Sequence, residues 1–538
     1  ALAQHNVSLT ASEKNLYQLT KRVSPLDTVT FFLAERSKYL VSDAAGKEYE
    51  KGTRKGIIQF IVTGNCGVHR IAITNNKNKT VEFNFIVEAS TNITGNHKYE
   101  DMFNVFKSNM MSDTGSVTWN GKRYRYFVPW VLDHFHTMKG LKYFQTYGGD
   151  FVDLMRQAQR SDGMIYSFVE HMPIDYFRTR DSKSGYTKKV GDKYFVRQPT
   201  ENHPEYIFVN TIYEWWKASG DNIWMKNQLN AAIAALNYSI TDSSRWSNRF
   251  KLLKRVYTID SWDFQVDDEY TPDIGLTNTM IIDTKKSKFG IFFGDNTGYI
   301  DACVQLAEML EHSNRATEAQ SFRIRAGEIR KNLDNLSWNG NFYTHFIEED
   351  STVKRNLGVD ERSQLAQSNA YSINRQIDSA KKRAIIETYY KLKNTLPAGS
   401  PGEWYSIYPP FERGFEIHGS KWQYMNGGVG GHVAAELSRG ALANGYESYG
   451  LNILDRLYAL GKRYGDRIYF SYTGAIPISE AKPTFKTIDL TAVGTMDLLD
   501  EGSKQAIPWM KNYRNGDDLR NMPTGNQSFN NIPFLITD

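Results

Sequence analysis

The first part of the chain alternates apolar and polar positions at the period of a β-strand. Between residues 27 and 90, runs of β-branched and aromatic residues are separated by clusters of Asn, Gly and Lys, which is typical of strands joined by hairpin turns. The predicted strands cover 28–33, 56–62, 69–73 and 81–87. The sequence therefore predicts a small N-terminal antiparallel β-sandwich over residues 1–98.

Beyond residue 100 the apolar positions recur at the 3.6-residue period of an α-helix. Ile300, Cys303, Val304 and Ala307 form one such stripe. Helical segments are predicted at 101–111, 128–146, 149–160, 203–219, 222–243, 293–312, 315–336, 363–375, 377–393, 426–443, 446–463 and 488–502. Residues 99–505 are thus predicted to form a mainly α domain, followed by an extension over 506–538.

The connections between these helices alternate in length. Short turns such as 219–221 and 443–445 permit only antiparallel hairpins. The long loops cover 112–127, 161–202, 244–292, 337–362, 394–425 and 464–487. An open solenoid is the alternative, but no sharp repeat recurs. We expect six hairpins to close into an (α/α)₆ toroid, with the long loops at one mouth that forms the active site.

Composition narrows the class of protein. The 538 residues exceed what one hydrophobic core usually organises. A net charge of +5 with scattered Lys and Arg gives little support for a nucleic-acid partner, and no apolar run is long enough to span a bilayer. Residues 1–4 resemble the end of a signal peptide, so a secreted or periplasmic protein is expected; an artificial chain boundary is the alternative.

Metal and cofactor sites are not expected. Cys66 and Cys303 fall in different predicted domains, so we expect free thiols and no disulfide. His134, His136 and His203 lack the spacing of zinc ligands. The glycine-rich stretch 426–431 lacks the Lys-Ser/Thr of a phosphate loop and is expected to allow close packing at a helix start.

The third long loop holds the densest group of carboxylates in the chain. Its members are Asp260, Asp263, Asp267, Asp268, Glu269 and Asp273. Asp263 lies between Trp262 and Phe264, and a carboxyl against aromatic rings can stay protonated and act as a general acid. The alternative is that these acids cap helices or bind calcium through Asp267, Asp268 and Asp273.

The fifth long loop alternates aromatic rings with polar groups. These residues are Glu403, Trp404, Tyr405, Tyr408, Glu412, Arg413, Glu416, Trp422 and Asn426. A sugar site needs flat aromatic platforms beside hydrogen-bonding groups, and this loop supplies both. The alternative is that the rings pack the loop onto its scaffold. We expect at least one of Trp262, Trp404 and Trp422 to be exposed.

These motifs resemble the six-hairpin glycosidases, especially the branch of trehalase and the processing α-glucosidases, over about residues 100–502. The segment 257–264, Tyr-Thr-Ile-Asp-Ser-Trp-Asp-Phe, is similar to the acid-bearing segment of that branch, which implies Asp263 as general acid. Trp130 and Asp133 resemble a substrate-gripping pair, and residues 422–428 resemble the aromatic-polar loop that opens the fifth inner helix.

One position departs from the family pattern. The family usually places its general base between the last two helices, where this chain has Ser471. The base is therefore expected among Glu480, Glu403 and Glu416. The substrate-binding residues that we predict are Trp130, Asp133, Trp262, Asp295, Trp404, Glu416, Trp422, Asn426 and Tyr472.

The resemblance implies an inverting glycoside hydrolase that acts on an oligo- or polysaccharide through a carboxylic acid and base. A polysaccharide lyase on the same toroid is one alternative, with His432 or Tyr472 as base and Arg413 or Lys421 binding a uronate. A glycan-binding protein on a degenerate enzyme scaffold is another, suggested by Ser471.

Overall fold

The computed structural model describes most of the chain up to Phe485. The described residues are 6–9, 18–25, 27–44, 46–64, 66–88, 95–111, 115–126, 129–142, 148–170, 186–190, 193–256, 282, 287–352, 355–397, 399–414, 421–469, 471–475 and 483–485. The predicted helix at 488–502 and the extension over 506–538 lie outside them.

The first six strands form one sheet. They are β1 (Asn6–Leu9), β2 (Gln18–Val23), β3 (Thr28–Ser42), β4 (Glu48–Ile61), β5 (Gly67–Thr74) and β6 (Thr80–Val87), ordered β1-β3-β5-β6-β2 with β4 also on β3. All four predicted strands are present, and β3 and β4 are longer than expected. The β1–β3 and β2–β6 pairings are parallel, so the sheet is not wholly antiparallel.

This sheet bends over its own apolar face. Phe60 of β4 and Phe85 of β6 are not neighbours in the sheet, yet their ring centroids lie 6.2 Å apart. Val29, Phe31 and Ile58 belong to the same buried cluster. The alternation of side chains along the strands therefore buries one face of the sheet.

Eleven α-helices are present among the described residues after the sheet. They are α1 (His97–Met111), α2 (Val131–Leu141), α3 (Asp150–Ala158), α4 (His203–Ser219), α5 (Asn222–Thr241), α6 (Phe293–His312), α7 (Ala316–Ser337), α8 (Ser368–Ile373), α9 (Ser379–Lys393), α10 (Gly431–Ala443) and α11 (Glu447–Arg463). In this part of the chain, no helix is long and apolar enough to cross a membrane.

Some helices begin later than their periodicity predicts. The prediction for α10 began at residue 426, but Gly427 has φ +87° and β19 (Val429–Gly430) precedes the helix. A Cβ on Gly428 would lie 2.3 Å from the carbonyl oxygen of Tyr424, so this close packing needs glycine, as the sequence suggested. Likewise α8 is short, because β17 (Leu365–Ala366) precedes it.

Every second helix packs on the next, and together these helices form an arc. We call them the inner helices; they are α2, α4, α6, α8 and α10. Helix α4 packs on α2 and α6, and α8 packs on α6 and α10, while α5, α7, α9 and α11 each pack on the helix before them. Lys139 of α2 also forms an ion pair with Glu436 of α10. Cys303 is buried in α6, and Cys66 lies just before β5; both are free, as expected.

Short ladders join the long connections to one another. The remaining strands are β7 (Gly115–Trp119), β8 (Lys122–Tyr126), β9 (Phe168–Glu170), β10 (Thr187–Val190), β11 (Lys193–Val196), β12 (Trp246–Ser247), β13 (Leu252–Leu253), β14 (Arg255–Val256), β15 (Phe289–Phe292), β16 (Phe346–Glu348), β18 (Ile407–Tyr408), β20 (Ser471–Tyr472) and β21 (Pro483–Phe485). β15 pairs with β16, β17 with β18, and β19 with β20. The loops before α6, α8 and α10 therefore lie side by side.

Candidate active site

Polar side chains cluster where the inner helices begin. Asp133, Glu205 and Asp295 each stand third in α2, α4 and α6, and all three are buried. A carboxylate in the first turn is stabilised by the helix dipole and by unpaired main-chain N–H groups. Three consecutive inner helices thus place carboxylates at their N-terminal ends, where the long loops lead into them.

The start of α2 combines an aromatic ring with one of these carboxylates. The half-buried ring of Trp130 stacks on Phe168, with centroids 4.0 Å apart and planes at 23°. Its indole Nε1 is buried and has no hydrogen-bond partner among the described residues. Asp133 lies one helical turn further on. The resemblance implies that these two residues bind substrate, and that role stays a prediction.

Asp295 is held by two neighbouring elements. Tyr206 of α4 donates to its Oδ1 at 3.3 Å, and Arg255 Nη1 lies 3.5 Å from its Oδ2. Arg375, after α8, stands over the ring of Tyr206, with 5.9 Å from Cζ to the centroid, and donates to the carbonyl of Gly294 at 2.9 Å. Asp295 therefore belongs to a preorganised polar cluster shared by α4, α6 and the end of α8.

Glu403, a predicted catalytic carboxylate, is tied to an arginine. It is fully buried; Arg456 donates to its two oxygens at 2.7 and 2.8 Å, and Tyr449 donates to Oε1 at 2.7 Å. Trp404 is also fully buried, with Arg456 4.4 Å above its ring. These contacts favour a structural role for both residues.

The segment before α10 presents the exposed part of the fifth loop. Trp422 is half-buried, with its ring 5.9 Å from that of Tyr405 and 6.1 Å from that of Tyr408. Trp422 has φ +69°, an outlier for a bulky residue that tends to occur at functional sites. Asn426 exchanges hydrogen bonds of 2.7 and 3.1 Å with the main chain of Phe411, which fixes the segment.

Tyr472 and Ser471 lie on β20, paired with Val429 and Gly430, which directly precede α10. Both are buried. Burial raises the pKa of Tyr472 well above its usual value, so a tyrosinate base at this position is disfavoured. The position where the resemblance expects the base thus presents a hydroxyl group within the fold.

The sequence patterns do not indicate the charged cluster that α2, α10 and Asn374 share. Glu436 Oε1 accepts from Lys139 and lies 3.2 Å from His136 Nδ1, and its Oε2 accepts from Asn374 at 2.7 Å. Burial alone would raise the pKa of Glu436, but Lys139 and His136 hold it well below the usual range. Burial and Lys139 lower the pKa of His136 to about 4. No local pattern signals that Glu436 of α10 meets His136 and Lys139, since these two residues lie on α2.

Several predicted site residues fall outside the described part of the chain. They are Asp263, Trp262, Glu416 and Glu480, together with the acids of the calcium alternative. Their roles stay predictions. Within the described ranges, no group of three or more His, Cys, Asp or Glu residues is arranged to hold a metal ion.

The chain matches no known family profile, and no curated protein matches its sequence. Among solved structures, it is similar to the GH63 mannosylglycerate hydrolase from Thermus thermophilus, with 12% identity, a TM-score of 0.48, and 70% of this chain and 94% of that chain covered. It is also similar to a GH78 rhamnosidase of Bacillus sp. GL1 (10%, 0.45, 82% and 41%) and a rhamnosidase from Klebsiella oxytoca (10%, 0.44, 92% and 89%).

Proposed function

We propose that the chain is a glycoside hydrolase that acts on an oligo- or polysaccharide. Its site lies at the N-terminal ends of the inner helices. The observation that carries the proposal is the start of α2, where Trp130, whose indole N–H has no partner among the described residues, precedes Asp133 by one helical turn. The rings of Tyr408 and Trp422 and the Asp295 cluster add platforms and hydrogen-bonding groups at the starts of other inner helices. A saccharide needs this combination.

In this proposal, the six hairpins close into a toroid whose sixth hairpin includes the helix predicted at 488–502. Asp263 is the general acid and protonates the leaving oxygen, while a second carboxylate activates water on the opposite face of the sugar. The bidentate pairing of Glu403 argues against that residue as the base. The inverting outcome follows if the two carboxyl groups stand about 6.5–9.5 Å apart.

The test is the variant Asp263→Asn, assayed on glycans and on aryl glycosides. Turnover of glycans should fall by about 10²–10⁴ with little change in KM, because the amide keeps the volume but has no proton to give. Aryl glycosides should retain more activity, since a phenolate leaving group needs less protonation. Asp350→Asn, at an exposed carboxylate, is the control and should leave both rates unchanged.

The products separate the alternatives. An inverting hydrolase releases a sugar of the opposite anomeric configuration, which NMR detects before mutarotation. A lyase would release an unsaturated uronate that absorbs ultraviolet light, and a binding protein would give neither product. Normal cleavage of glycans by Asp263→Asn would show that the acid lies elsewhere.

A further inference from the structure

Four arginines are buried in the part of the chain that the structure describes, and they differ in their partners. Arg197 and Arg255 each form an ion pair with a carboxylate. Arg245 has no carboxylate partner in the described ranges, but its two terminal nitrogens donate to three oxygen atoms. Arg375 has no carboxylate partner there either, and only one of its nitrogens donates. A guanidinium is always ionised, and a buried charge without a counter-ion is costly, so this arrangement requires an explanation.

The Arg375 guanidinium is anchored at one nitrogen and open at the other two. Nη1 donates to the main-chain carbonyl of Gly294 at 2.9 Å and to Thr297 Oγ1 at 2.8 Å. Nε and Nη2 have no hydrogen bond to a described residue. The Nε atoms of Arg197 and Arg245 are enclosed by protein, whereas Nε and Nη2 of Arg375 are not, and Arg375 is 8% exposed. Two neighbouring N–H groups on one edge of this guanidinium therefore face space that a ligand can enter.

Arg375 lies at the same level as the proposed saccharide site. Its anchor Gly294 is the second residue of α6. Its Cζ lies 5.9 Å from the ring centroid of Tyr206 and 5.7 Å from that of Tyr371. Each tyrosine is the fourth residue of an inner helix, α4 and α8 respectively. The first turns of three inner helices thus hold the guanidinium in one orientation, so little side-chain freedom remains to be lost when a ligand binds.

The buried carboxylates of α4 and α6 do not neutralise Arg375. Glu205 and Asp295 are each paired with another arginine. Asp301, two turns into α6, forms no ion pair with Arg375, and burial keeps its pKa raised to about 6 although the charge of Arg375 acts in the opposite direction. The open edge therefore favours an anion from outside the chain. Parallel N–H groups at Nε and Nη2 match the two oxygens of a carboxylate, whereas a hydroxyl would leave the charge without a counter-ion.

We propose that Arg375 binds a carboxylate of the substrate, so that the enzyme acts on acidic glycosides; this assignment rests on the proposed function. The carboxylate accepts hydrogen bonds from Nε and Nη2, while Nη1 keeps its two bonds to α6. The carboxylate belongs to the sugar ring, as in a hexuronic acid, or to the leaving group, since the same edge of the guanidinium receives either. Arg375 determines specificity in this account and takes no part in proton transfer.

The test uses three series of synthetic glycosides, each in both anomers: p-nitrophenyl hexosides, p-nitrophenyl hexuronides and 4-carboxyphenyl hexosides. The unaltered chain should cleave one acidic series with a kcat/KM about 10²-fold above that for the neutral hexosides, as expected for hydrogen bonds between charged groups. A preference for hexuronides places the carboxylate on the ring, and a preference for 4-carboxyphenyl hexosides places it on the leaving group. Arg375→Gln should abolish the preference, chiefly through a higher KM, and Arg375→Lys should keep part of it. Arg245→Gln is the matched buried control; it should lower the unfolding temperature and keep the preference.

The ratio of kcat/KM between acidic and neutral glycosides separates substrate binding from a structural role, because misfolding lowers both rates alike. A ratio that falls to about one in Arg375→Gln, and less far in Arg375→Lys, supports the assignment. Cleavage of neutral hexosides alone, an acidic preference that survives in Arg375→Gln, or an equal loss on both kinds of substrate overturns it and leaves the hydrolase proposal standing. If the unaltered chain cleaves no glycoside in any series, both proposals fall.

Discussion

The N-terminal sheet and the helical domain have different interiors. The core of the sheet is apolar, with Val29, Phe31 and Phe60 packed together and few polar side chains buried beside them. The interior of the helical domain contains ionised pairs that cross between helices, such as Lys139 with Glu436 and Arg197 with Glu205. Apolar burial gives stability that is insensitive to pH, whereas a buried charge is stable only while its partner remains. We infer that the helical domain keeps these charges because they hold the site in place.

The largest expected effect comes from removal of Glu436. Glu436→Ala leaves the ammonium group of Lys139 buried without its carboxylate, so the free energy of unfolding should fall by about 3–5 kcal/mol. Tryptophan fluorescence during urea unfolding measures this domain alone, because every Trp follows residue 118. Glu412→Ala, which breaks the exposed pair with Lys421, should cost about 0–1 kcal/mol. Equal losses in the two variants would remove the distinction between the interiors.

The second effect is a stabilisation that depends on pH. Burial raises the pKa of Asp301 to about 6 from its ordinary value of 3.8. The folded state therefore binds more protons than the unfolded state between these values, and stability falls as pH rises from about 4 to 6. Asp301→Asn should raise the free energy of unfolding at pH 7 by about 2–3 kcal/mol and change little at pH 4. A gain of the same size at both pH values would contradict this account.

The third effect tests the sheet. Ile58→Val removes one buried methylene from its core and should cost about 1 kcal/mol, equally at pH 5 and pH 8. Hydrogen exchange of the β3–β6 amides measures the loss, and the tryptophan transition should not move if the two domains unfold separately. A strongly pH-dependent loss would show that the sheet also relies on buried charge.

The smallest expected effect concerns the proposed sugar platform. Trp130→Phe keeps an aromatic face but removes the unsatisfied indole N–H, so KM should rise about five-fold, as expected for one hydrogen bond of about 1 kcal/mol. Trp404→Phe is the matched control, because its indole N–H also lacks a partner among the described residues but its ring is fully buried. An equal rise in KM in both variants would argue against a direct contact at Trp130.

The sequence by itself determined the local structure. The change of period near residue 100 separates strands from helices, and the bounds predicted for α4 and α6 match the structure, because the apolar stripe and flanking residues such as Gly220 act within a few residues. The short turns likewise predicted the hairpins. The aromatic and polar character of the fifth loop could also be read directly.

Only the tertiary structure decided the electrostatic partners. Lys139 and Glu436 are 297 residues apart, and Glu403 and Arg456 are 53 apart, so no local period could pair them. The sequence marks a carboxylate as a possible acid or base, but the arginine or imidazole that the fold places beside it sets its charge and its availability. For this reason the sequence indicated Glu403 as a base, whereas the fold pairs its carboxylate with Arg456.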